Sequence, residues 1–377
     1  MSSPKTIEES FKGLPDPRIE KKISHKLIDI VIIAICAVIS GAESWTGIEM
    51  FGLEKEEWLR QYLELPNGIP SHDCFRYLFM KLDAKAFEAC FQKWSSGVEK
   101  RLEGEGISID GKRVRHSYDK FNQKSAIHMV SAWATEAEIV LGQTKVDDKT
   151  NEIKAIPELL EVLELKGCIV TIDAMGCQKD IASQIRNKNA DYILALKENQ
   201  KELYDVVSGI FEGTEQIAYK QVQHTYIKTT DNKHGRMEIR ECWVITDEEW
   251  LSLIEQKAEW EGLSSIIKVR RSRKVNGETS IEDKYYIASL IANAQLVLNK
   301  IRGHWGIENK LHWVLDVVFR EDFSRVRAEN SAENFAVIRH IALNLLKQEK
   351  SCKRSIKAKR LKCALSEDYL ATVVFGC

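Results

Sequence analysis

Two short apolar segments that each end in an aspartate constrain the fold of this chain more than any other feature. They are Gly106–Asp110 (GISID) and Gly167–Asp173 (GCIVTID), and each has the length and composition of a buried β-strand. Carboxylates at the carboxyl ends of such strands lie at the rim of a sheet, where α/β folds place their sites. Aspartate also ends many strands because it starts turns and caps helices, so either residue alone is weak evidence.

The surrounding sequence predicts a mixed α/β sheet flanked by helices. Alternating or apolar patterns predict further strands at 126–134, 138–145 and 191–196, and helical spacing predicts helices at 153–163 and 178–188. A polar, β-rich region runs from about 219 to 290, with strands predicted at 222–229, 236–245, 266–273 and 284–288. The chain is predicted to be helical after Asn293.

The first 100 residues are predicted to be helical. Leu27–Ala42 is strongly apolar, but it is shorter than the roughly 20 residues that cross a bilayer, and Asp29 lies near its start. We therefore expect a buried core helix. Ser71 is a plausible N-cap for the next amphipathic helix. A helix-turn-helix around the preceding break at Pro66–Pro70 is a weaker reading than simple helical packing.

Composition limits the classes of protein that this chain can be. A length of 377 residues suggests two or three domains, and a net charge of −1 excludes a polycation that coats nucleic acid, although local basic surfaces still allow DNA binding. None of the nine cysteines has C-x-x-C spacing, so no zinc ribbon or thioredoxin motif is predicted. We expect reduced thiols in a cytoplasmic protein without a signal peptide.

A third acidic candidate lies in Ile301–Asp322 (IRGHWGIENKLHWVLDVVFRED). A regular helix places four polar side chains on one face, those of His304, Glu308, His312 and Asp316. The same helix would turn four apolar side chains toward a core, those of Trp305, Leu311, Leu315 and Val318. Two alternatives remain open: an exposed helix with salt bridges, and a zinc site that uses His304, Glu308 and His312. The two earlier carboxylates favour an oxygen-rich magnesium site instead.

Three carboxylates suit the hydrolysis of a phosphodiester. Two metal ions about 3.5–4 Å apart bring the nucleophile into line and stabilise the leaving oxygen. Magnesium keeps open coordination positions for water and phosphate oxygens, and Mn²⁺ is the expected substitute.

Several segments resemble the insertion-sequence transposases of the H-repeat-associated group, and the resemblance covers essentially the whole chain. They include IDGKRVRHSYDK, TIDAMGCQKDIA, DYILALKENQ and RGHWGIENKLHWVLDVVFRED, together with the N-terminal HKLIDIVIIAICAVISGAESW and IPSHDCFRYLF. The resemblance implies an RNase H-like core with a D-D-E triad of Asp110, Asp173 and Glu308 that binds two Mg²⁺ ions.

The sequence departs from the wider family pattern at two positions. His304 stands where an arginine is common, and Leu315 where a lysine is common. Arg302, Lys310 and His312 could supply phosphate contacts instead. The departures also make three residues candidates for contacting a metal ligand or for replacing one, namely Asp316, His304 and His312.

The resemblance implies three parts: a helical N-terminal domain at 1–100 that binds DNA ends, a catalytic domain at 101–345 with the β-rich insertion at about 219–290, and a basic tail at 346–377. The candidate DNA-binding residues are Lys112, Arg113, Arg115, Lys197, Asn199, Gln200, His234, Arg236, Arg302 and Lys310. The KVRRSRK segment at 268–274 and the tail lysines and arginines at 347–362 are further basic clusters. The ordinary alternative for each cluster is a solvated face or an exposed strand edge.

The implied activity is cleavage of double-stranded DNA at the ends of the element, followed by attack of the freed 3′-hydroxyl on target DNA. Because two element ends must be joined, we expect a homo-oligomer. We also expect the protein to associate with the nucleoid, and we expect no membrane partner. One alternative is a catalytically inactive, domesticated transposase that only binds DNA. Another is a nuclease of the same fold without strand transfer. Trp305 and Trp313 flank Glu308, and core packing is the commoner role of tryptophan.

Overall fold

The computed structural model describes residues 6–98, 104–114, 117, 126–146, 152–233, 236–275 and 278–376. These residues form two compact units that interleave along the chain. The first unit comprises residues 1–100, 111–151 and 308–377, and the second comprises 101–110 and 152–307.

The first unit begins with six helices: α1 (Ile7–Phe11), α2 (Leu27–Ile39), α3 (Trp45–Glu54), α4 (Glu56–Leu59), α5 (His72–Lys81) and α6 (Ala84–Val98). Residues 29–39 of α2 are all buried, which confirms the predicted core helix. Asp29 accepts a hydrogen bond of 3.1 Å from the Leu65 amide, and burial raises the pKa of its carboxyl group. In the described part of the chain, none of the helices has both the length and the apolar character that crossing a membrane requires.

Helix α5 packs against a long helix from the other end of the chain, α13 (Ser331–Gln348). The hydroxyl of Ser71 accepts a hydrogen bond from the Cys74 amide, which confirms the predicted N-cap. The side-chain amide of Asn334 in α13 donates to the carbonyl groups of Phe79 and Leu82. These bonds use backbone acceptors at the end of α5, so α5 is part of the unit's core.

Two more helices, α14 (Ile356–Leu365) and α15 (Glu367–Phe375), complete the first unit. The predicted basic tail is therefore folded, and two of its cations are buried. Lys359 contacts the Glu349 carboxylate at 3.3 Å, and Arg360 donates to the carbonyl groups of Val38 and Ile39. Of the tail cations that were candidates for contacting DNA, Lys359 and Arg360 are not available for such contacts, because both satisfy protein acceptors.

The strands of the sheet are β1 (Gly106–Arg113), β2 (His128–Ala134), β3 (Ile139–Val146), β4 (Ile169–Ile172), β5 (Asp191–Leu196), β6 (His224–Lys233), β7 (Arg236–Ile245), β8 (Ser265–Val275) and β9 (Glu278–Ala288). In the first unit β2 and β3 form an antiparallel pair, with β2 beside the end of β1. In the second unit the order is β1-β4-β5-β9-β8-β7-β6. Strands β1, β4 and β5 are parallel, and β9 is antiparallel to β5.

This topology confirms the predicted mixed α/β fold and the predicted order of strands and helices. The helices of the second unit are α7 (Glu152–Val162), α8 (Lys179–Asn187), α9 (Lys201–Gln216), α10 (Glu248–Leu251) and α11 (Ala294–His304). The β-rich insertion is present as strands β6–β9. It continues the central sheet, because β9 is hydrogen-bonded directly to β5.

Candidate catalytic site

Asp110 and Asp173 lie at neighbouring positions of two parallel strands, Asp110 within β1 and Asp173 directly after the last residue of β4. The prediction that the first strand ends at Asp110 was wrong, because β1 continues to Arg113. Ile109 in β1 pairs with Ile172 in β4, and each aspartate is the next residue along its strand. Both aspartates are partly buried, whereas both isoleucines are buried. The structure therefore brings together the two carboxylates that the strand-end pattern singled out.

The backbone after β4 orients the carboxylate of Asp173. Its Oδ1 accepts hydrogen bonds from the amides of Met175 and Gly176, at 3.1 and 3.4 Å, and caps a short 3₁₀ turn. Gly176 makes this tight turn possible, because a Cβ atom there would lie 2.3 Å from Cγ2 of Ile172. Both of these bonds use the same carboxylate oxygen, so Oδ2 is oriented without taking part in the cap.

Two side-chain amides hold the same turn from the loop after β5. Asn199 Nδ2 donates to the carbonyl of Ala174 at 2.6 Å, and Gln200 Nε2 donates to the carbonyl of Cys177 at 3.0 Å. Both residues were predicted to bind DNA, but the structure places their amides against the turn that follows Asp173. The sequence signal was available: β5 is parallel to β4, so the loops after both strands meet at one rim.

A polar layer lies one pleat below the two aspartates. Ser108 and Thr171 are register partners on β1 and β4, both buried, and Thr171 Oγ1 donates to Ser108 Oγ at 3.3 Å. His304 Nδ1 lies 3.1 Å from the same Thr171 oxygen. Which of the two atoms donates in this bond depends on the tautomer of the imidazole.

The imidazole of His304 is neutral at physiological pH. Burial lowers the pKa of His304 to about 4, although the nearby carboxylate of Asp173 acts in the opposite direction. His304 therefore differs in charge as well as in shape from the arginine that is common at this position.

The segment that carries Glu308 is not the regular helix that was predicted. Helix α11 ends at His304, Trp305 is its C-cap, and Glu308–His312 forms a π-helical turn before α12 (Trp313–Val317). A π turn has i→i+5 hydrogen bonds, so four-residue spacing no longer keeps side chains on one face. The prediction of a single face with His304, Glu308, His312 and Asp316 was wrong for this reason. Turns of this kind are frequent at functional sites.

The irregular segment also changes which side chains are exposed. Leu311 and Leu315 are buried as predicted, but the side chains of Trp305 and Trp313 are 45% and 56% exposed. The prediction that Trp305 faces a core was wrong, because Trp305 caps the C-terminus of α11 with its ring at the surface. Glu308 is exposed, and within the described residues its side chain has no hydrogen bond or ion pair.

Asp316 and Lys112 form an ion pair, with Lys112 Nζ 2.5 Å from Asp316 Oδ1. The same ammonium group contacts Glu321, whose other oxygen lies 3.5 Å from Arg339. Burial alone would raise the pKa of Glu321, but Lys112 and Arg339 bring it down to about 2. Lys112, predicted to bind DNA, thus has two protein carboxylates as partners, and Asp316, predicted as an alternative ligand, has a lysine.

The other predicted DNA-binding residues are distributed over both units. Arg113 and Lys197 are exposed, Arg302 lies 3.2 Å from Asp231, and Lys310 lies 2.5 Å from Glu138. His312 is partly buried, and Arg236 is the first residue of β7. Arg115 and His234 lie outside the described residues.

A pocket that sequence reasoning missed lies between α11 and the strands of the insertion. Its volume is about 260 Å³, and its lining includes Arg240, Arg271, Lys284, Arg302 and Trp305. Lys284 Nζ lies 4.8 Å from the centre of the Trp305 ring. These cations come from three strands and a helix, so no local cluster in the sequence indicates the pocket.

The donor chemistry of the strand ends fits a hard divalent cation. Asp110 and Asp173 supply carboxylate oxygens, the ligands that Mg²⁺ prefers. Over the residues that the structure describes, no group of three or more His, Cys, Asp or Glu side chains is arranged to hold a metal ion. The fit therefore depends on the paired aspartates and the chemistry of their oxygens.

Comparison with known proteins identifies the family. The family model described as "Transposase DDE domain" matches residues 80–345, and the one described as "DDE_Tnp_1-associated" matches residues 8–95. The chain is 42% identical over 381 residues to "H repeat-associated putative transposase YhhI" of Escherichia coli (strain K12), covering 99% of this chain and 98% of that protein. It is 43% identical over 369 residues to "Putative transposase YncI" of Escherichia coli O157:H7, covering 97% and 93%.

A solved structure of a piggyBac transposase synaptic complex with hairpin DNA aligns with 95% of this chain and 75% of that chain. Its TM-score of 0.42 and sequence identity of 11% are too low to carry an argument. The family model and the two relatives are sufficient, because each matches well over half of the chain. The strand order agrees with the RNase H-like core that the resemblance implied, and the chain belongs to the DDE transposases of the H-repeat-associated group.

Proposed function

We propose that this chain is an active transposase that cleaves DNA at the ends of its element and joins the freed 3′ ends to target DNA. The observation that carries the proposal is the register of Ile109 and Ile172, which places Asp110 and Asp173 side by side. Membership of a DDE transposase family supports the same reading, since enzymes of this family generally use divalent metal ions.

Asp110, Asp173 and Glu308 would hold the cations, two Mg²⁺ ions with Mn²⁺ as a substitute. When bound, the ions would lower the pKa of an attacking water or 3′-hydroxyl and stabilise the leaving oxygen. The chain's own groups prepare this site: backbone amides orient Asp173, and Asn199 and Gln200 fix the turn that follows it.

The proposed chemistry has two balanced steps. In the first, the oxygen of water attacks phosphorus, the bond from phosphorus to the 3′-oxygen breaks, and the 3′-oxygen leaves as a hydroxyl group. In the second, that 3′-oxygen attacks a phosphorus of target DNA and displaces another 3′-oxygen. The number of phosphodiester bonds is unchanged in the second step, so it needs no external energy source.

Exposed cations are the proposed contacts to the DNA backbone. Among the described residues these are Arg113, Lys197, Arg302 and Lys310, and the arginines of the pocket extend the set. Contacts of this kind give affinity with a strong salt dependence and little sequence information. We assign recognition of the terminal sequence to the N-terminal helical residues 1–100, and we propose a homo-oligomer that pairs the two ends.

The test is nicking of the element's own terminal DNA in Mg²⁺ or Mn²⁺. Asp110→Asn, Asp173→Asn and Glu308→Gln should each reduce the nicking rate by at least about 1,000-fold, because each removes a cation ligand whose contribution to the transition state is several kcal/mol. Asp180→Asn is the matched control, since Asp180 is an exposed acid in the first turn of α8. Full activity in Asp110→Asn and Asp173→Asn would refute the proposal.

The same preparation separates the two alternatives. Specific binding of the terminal DNA without nicking in either metal would show an inactive, DNA-binding descendant of a transposase. Nicking without joining of a pre-cleaved 3′-hydroxyl end would show a nuclease. A comparison of Glu308→Gln with Asp316→Asn decides the third ligand: the proposal requires that only Glu308→Gln abolishes nicking at saturating Mn²⁺.

A further inference from the structure

Two partly buried polar contacts flank the segment that carries Glu308, one on each side of it. His304 precedes Glu308 by four residues and contacts Thr171 of β4, within the second unit. Asp316 follows Glu308 by eight residues and contacts Lys112 of β1, within the first unit. The strands that supply these two contacts are the strands that carry the proposed aspartate ligands.

The contacts lie on the same strand faces as the aspartates. Side chains two residues apart point to the same side of a strand, so Thr171 shares a face with Asp173, and Lys112 shares one with Asp110. Each contact is therefore one pleat away from a proposed ligand, Thr171 before Asp173 and Lys112 after Asp110.

In each contact the strand residue is shielded from water, whereas its partner, His304 or Asp316, is partly exposed. The Thr171 side chain is buried, and it links His304 to Ser108 of β1 in one hydrogen-bonded row. The Lys112 side chain is 10% exposed, and Glu321 holds it from the residues that follow α12. A buried charge that loses its partner destabilises a fold much more than an exposed one does.

Between the two anchors the backbone is not a regular α-helix. A π turn makes fewer good contacts per residue than an α-helix and is rare in isolation, so surrounding structure must hold it in place. Anchors at His304 and Asp316 fulfil that requirement for Glu308–His312.

We propose that His304 and Asp316 are positioning residues that pin both ends of the segment from 304 to 316 and thereby raise the affinity of the site for its divalent cations, without being ligands themselves. The inference rests on the proposed function, because it takes Glu308 as a ligand. The inference also explains why the histidine at position 304 can replace the arginine that is common there. The arginine would direct a cation at phosphate, whereas the neutral imidazole of His304 anchors the end of α11 to β4.

The experiment measures Mn²⁺ binding to the full chain by the electron paramagnetic resonance signal of free Mn²⁺, together with the Mn²⁺ concentration that gives half-maximal nicking. Thr171→Val and Asp316→Asn remove one anchor each while leaving His304 and Lys112 intact. Each should weaken Mn²⁺ binding by about 10-fold, the lower end of the range for groups that orient metal ligands, and nicking should recover at saturating Mn²⁺.

Matched controls separate positioning from general loss of stability. Thr214→Val removes a buried hydroxyl that donates to Phe211 in α9, and Asp283→Asn removes a carboxylate partner of the buried Lys268. Both should change the thermal unfolding temperature to a similar degree and leave Mn²⁺ affinity unchanged. Thr171→Ser and His304→Asn keep a hydrogen-bonding group at each end of the first contact and should recover most of the lost affinity.

The outcomes distinguish this inference from the proposed function. Wild-type Mn²⁺ affinity in folded Thr171→Val and Asp316→Asn would overturn the inference, while loss of nicking in Asp173→Asn would still support the proposed function. Loss of nicking in Asp316→Asn that no Mn²⁺ concentration restores would also overturn it, by making Asp316 a ligand. A wild-type chain that binds no Mn²⁺ would overturn both proposals.

Discussion

Lys112 Nζ lies 2.5 Å from the carboxylate of Asp316, and the carboxylate of Glu321 contacts the same nitrogen. A lysine two residues after a proposed catalytic aspartate is therefore neutralised by the protein. Its position in the sequence indicated a contact to DNA, whereas its surroundings indicate a structural role.

Replacing Lys112 with methionine should reduce the free energy of unfolding by about 3–5 kcal/mol, because it leaves the buried Glu321 with Arg339 as its remaining cation. Urea unfolding followed by circular dichroism measures the change. Lys310→Met is the control, since Lys310 forms a half-exposed pair with Glu138 and should cost less than about 1 kcal/mol. Equal effects of the two variants would contradict a buried role for Lys112.

The side-chain amides of Asn199 and Gln200 should support cleavage without contributing to DNA affinity. Asn199→Ala and Gln200→Ala free the turn after Asp173 and should slow nicking by about 10–100-fold, the range for groups that orient metal ligands. Fluorescence anisotropy should give unchanged affinity for terminal DNA and an unchanged salt slope. Gln295→Ala, which removes an exposed amide on α11, is the control. Weaker DNA binding with a flatter dependence of log affinity on log salt would instead show that Asn199 and Gln200 contact DNA.

The free energy of unfolding should decrease as the pH is lowered, because His340 is buried in its neutral form. Burial lowers the pKa of His340 to about 4, so the unfolded chain takes up a proton near the ordinary value of about 6.5 while the folded chain does not. The stabilisation is present above about pH 6.5 and is lost as the pH falls toward 4, at about 1.4 kcal/mol per pH unit.

Urea unfolding at about pH 6.5, 5.5 and 4.5 measures this dependence. His340→Gln should flatten the pH profile by that amount per unit. A profile that is identical in wild type and His340→Gln would show that the folded protein protonates His340 at its ordinary pKa.

Arg302 and Lys310 should contribute to DNA affinity through charge alone. Arg302→Ala and Lys310→Ala should each flatten the dependence of log affinity on log salt by about 0.9, the value for one phosphate contact. The loss should be similar for terminal and unrelated DNA, because phosphate contacts carry no sequence information. Lys188→Ala, which removes an ammonium group that donates to the carbonyl groups of Glu161 and Leu163, should leave the slope unchanged. An effect confined to terminal DNA would instead indicate base recognition.

The strand ends could be predicted because their information is local. Gly106–Asp110 and Gly167–Asp173 carry an apolar run and a terminal acid in a few residues, and the parallel pairing of β1 with β4 then brings the acids together. The contacts of His304 and Asp316 could not be predicted in the same way. They depend on the departure from α-helical geometry after His304, and the π turn at Glu308–His312 has no sequence signature comparable to a cap or a proline.

The local sequence also did not reveal which charged side chains are buried. Lys359 and Arg360 lie in a strongly basic stretch, yet both are buried because carbonyl groups and Glu349 from distant or neighbouring turns accept their hydrogen bonds. The N-terminal helix α2 was predicted correctly, since an unbroken apolar run can only be buried.

The pairing of β9 with β5 has a consequence for any attempt to shorten this protein. Removing residues 224–288 would leave β5 as an unprotected edge, with a row of free amides and carbonyls beside the rim that holds Asp173. A truncated chain of this kind should self-associate through that edge. Loss of activity after such a deletion would therefore report aggregation of the core as much as loss of a DNA-binding surface.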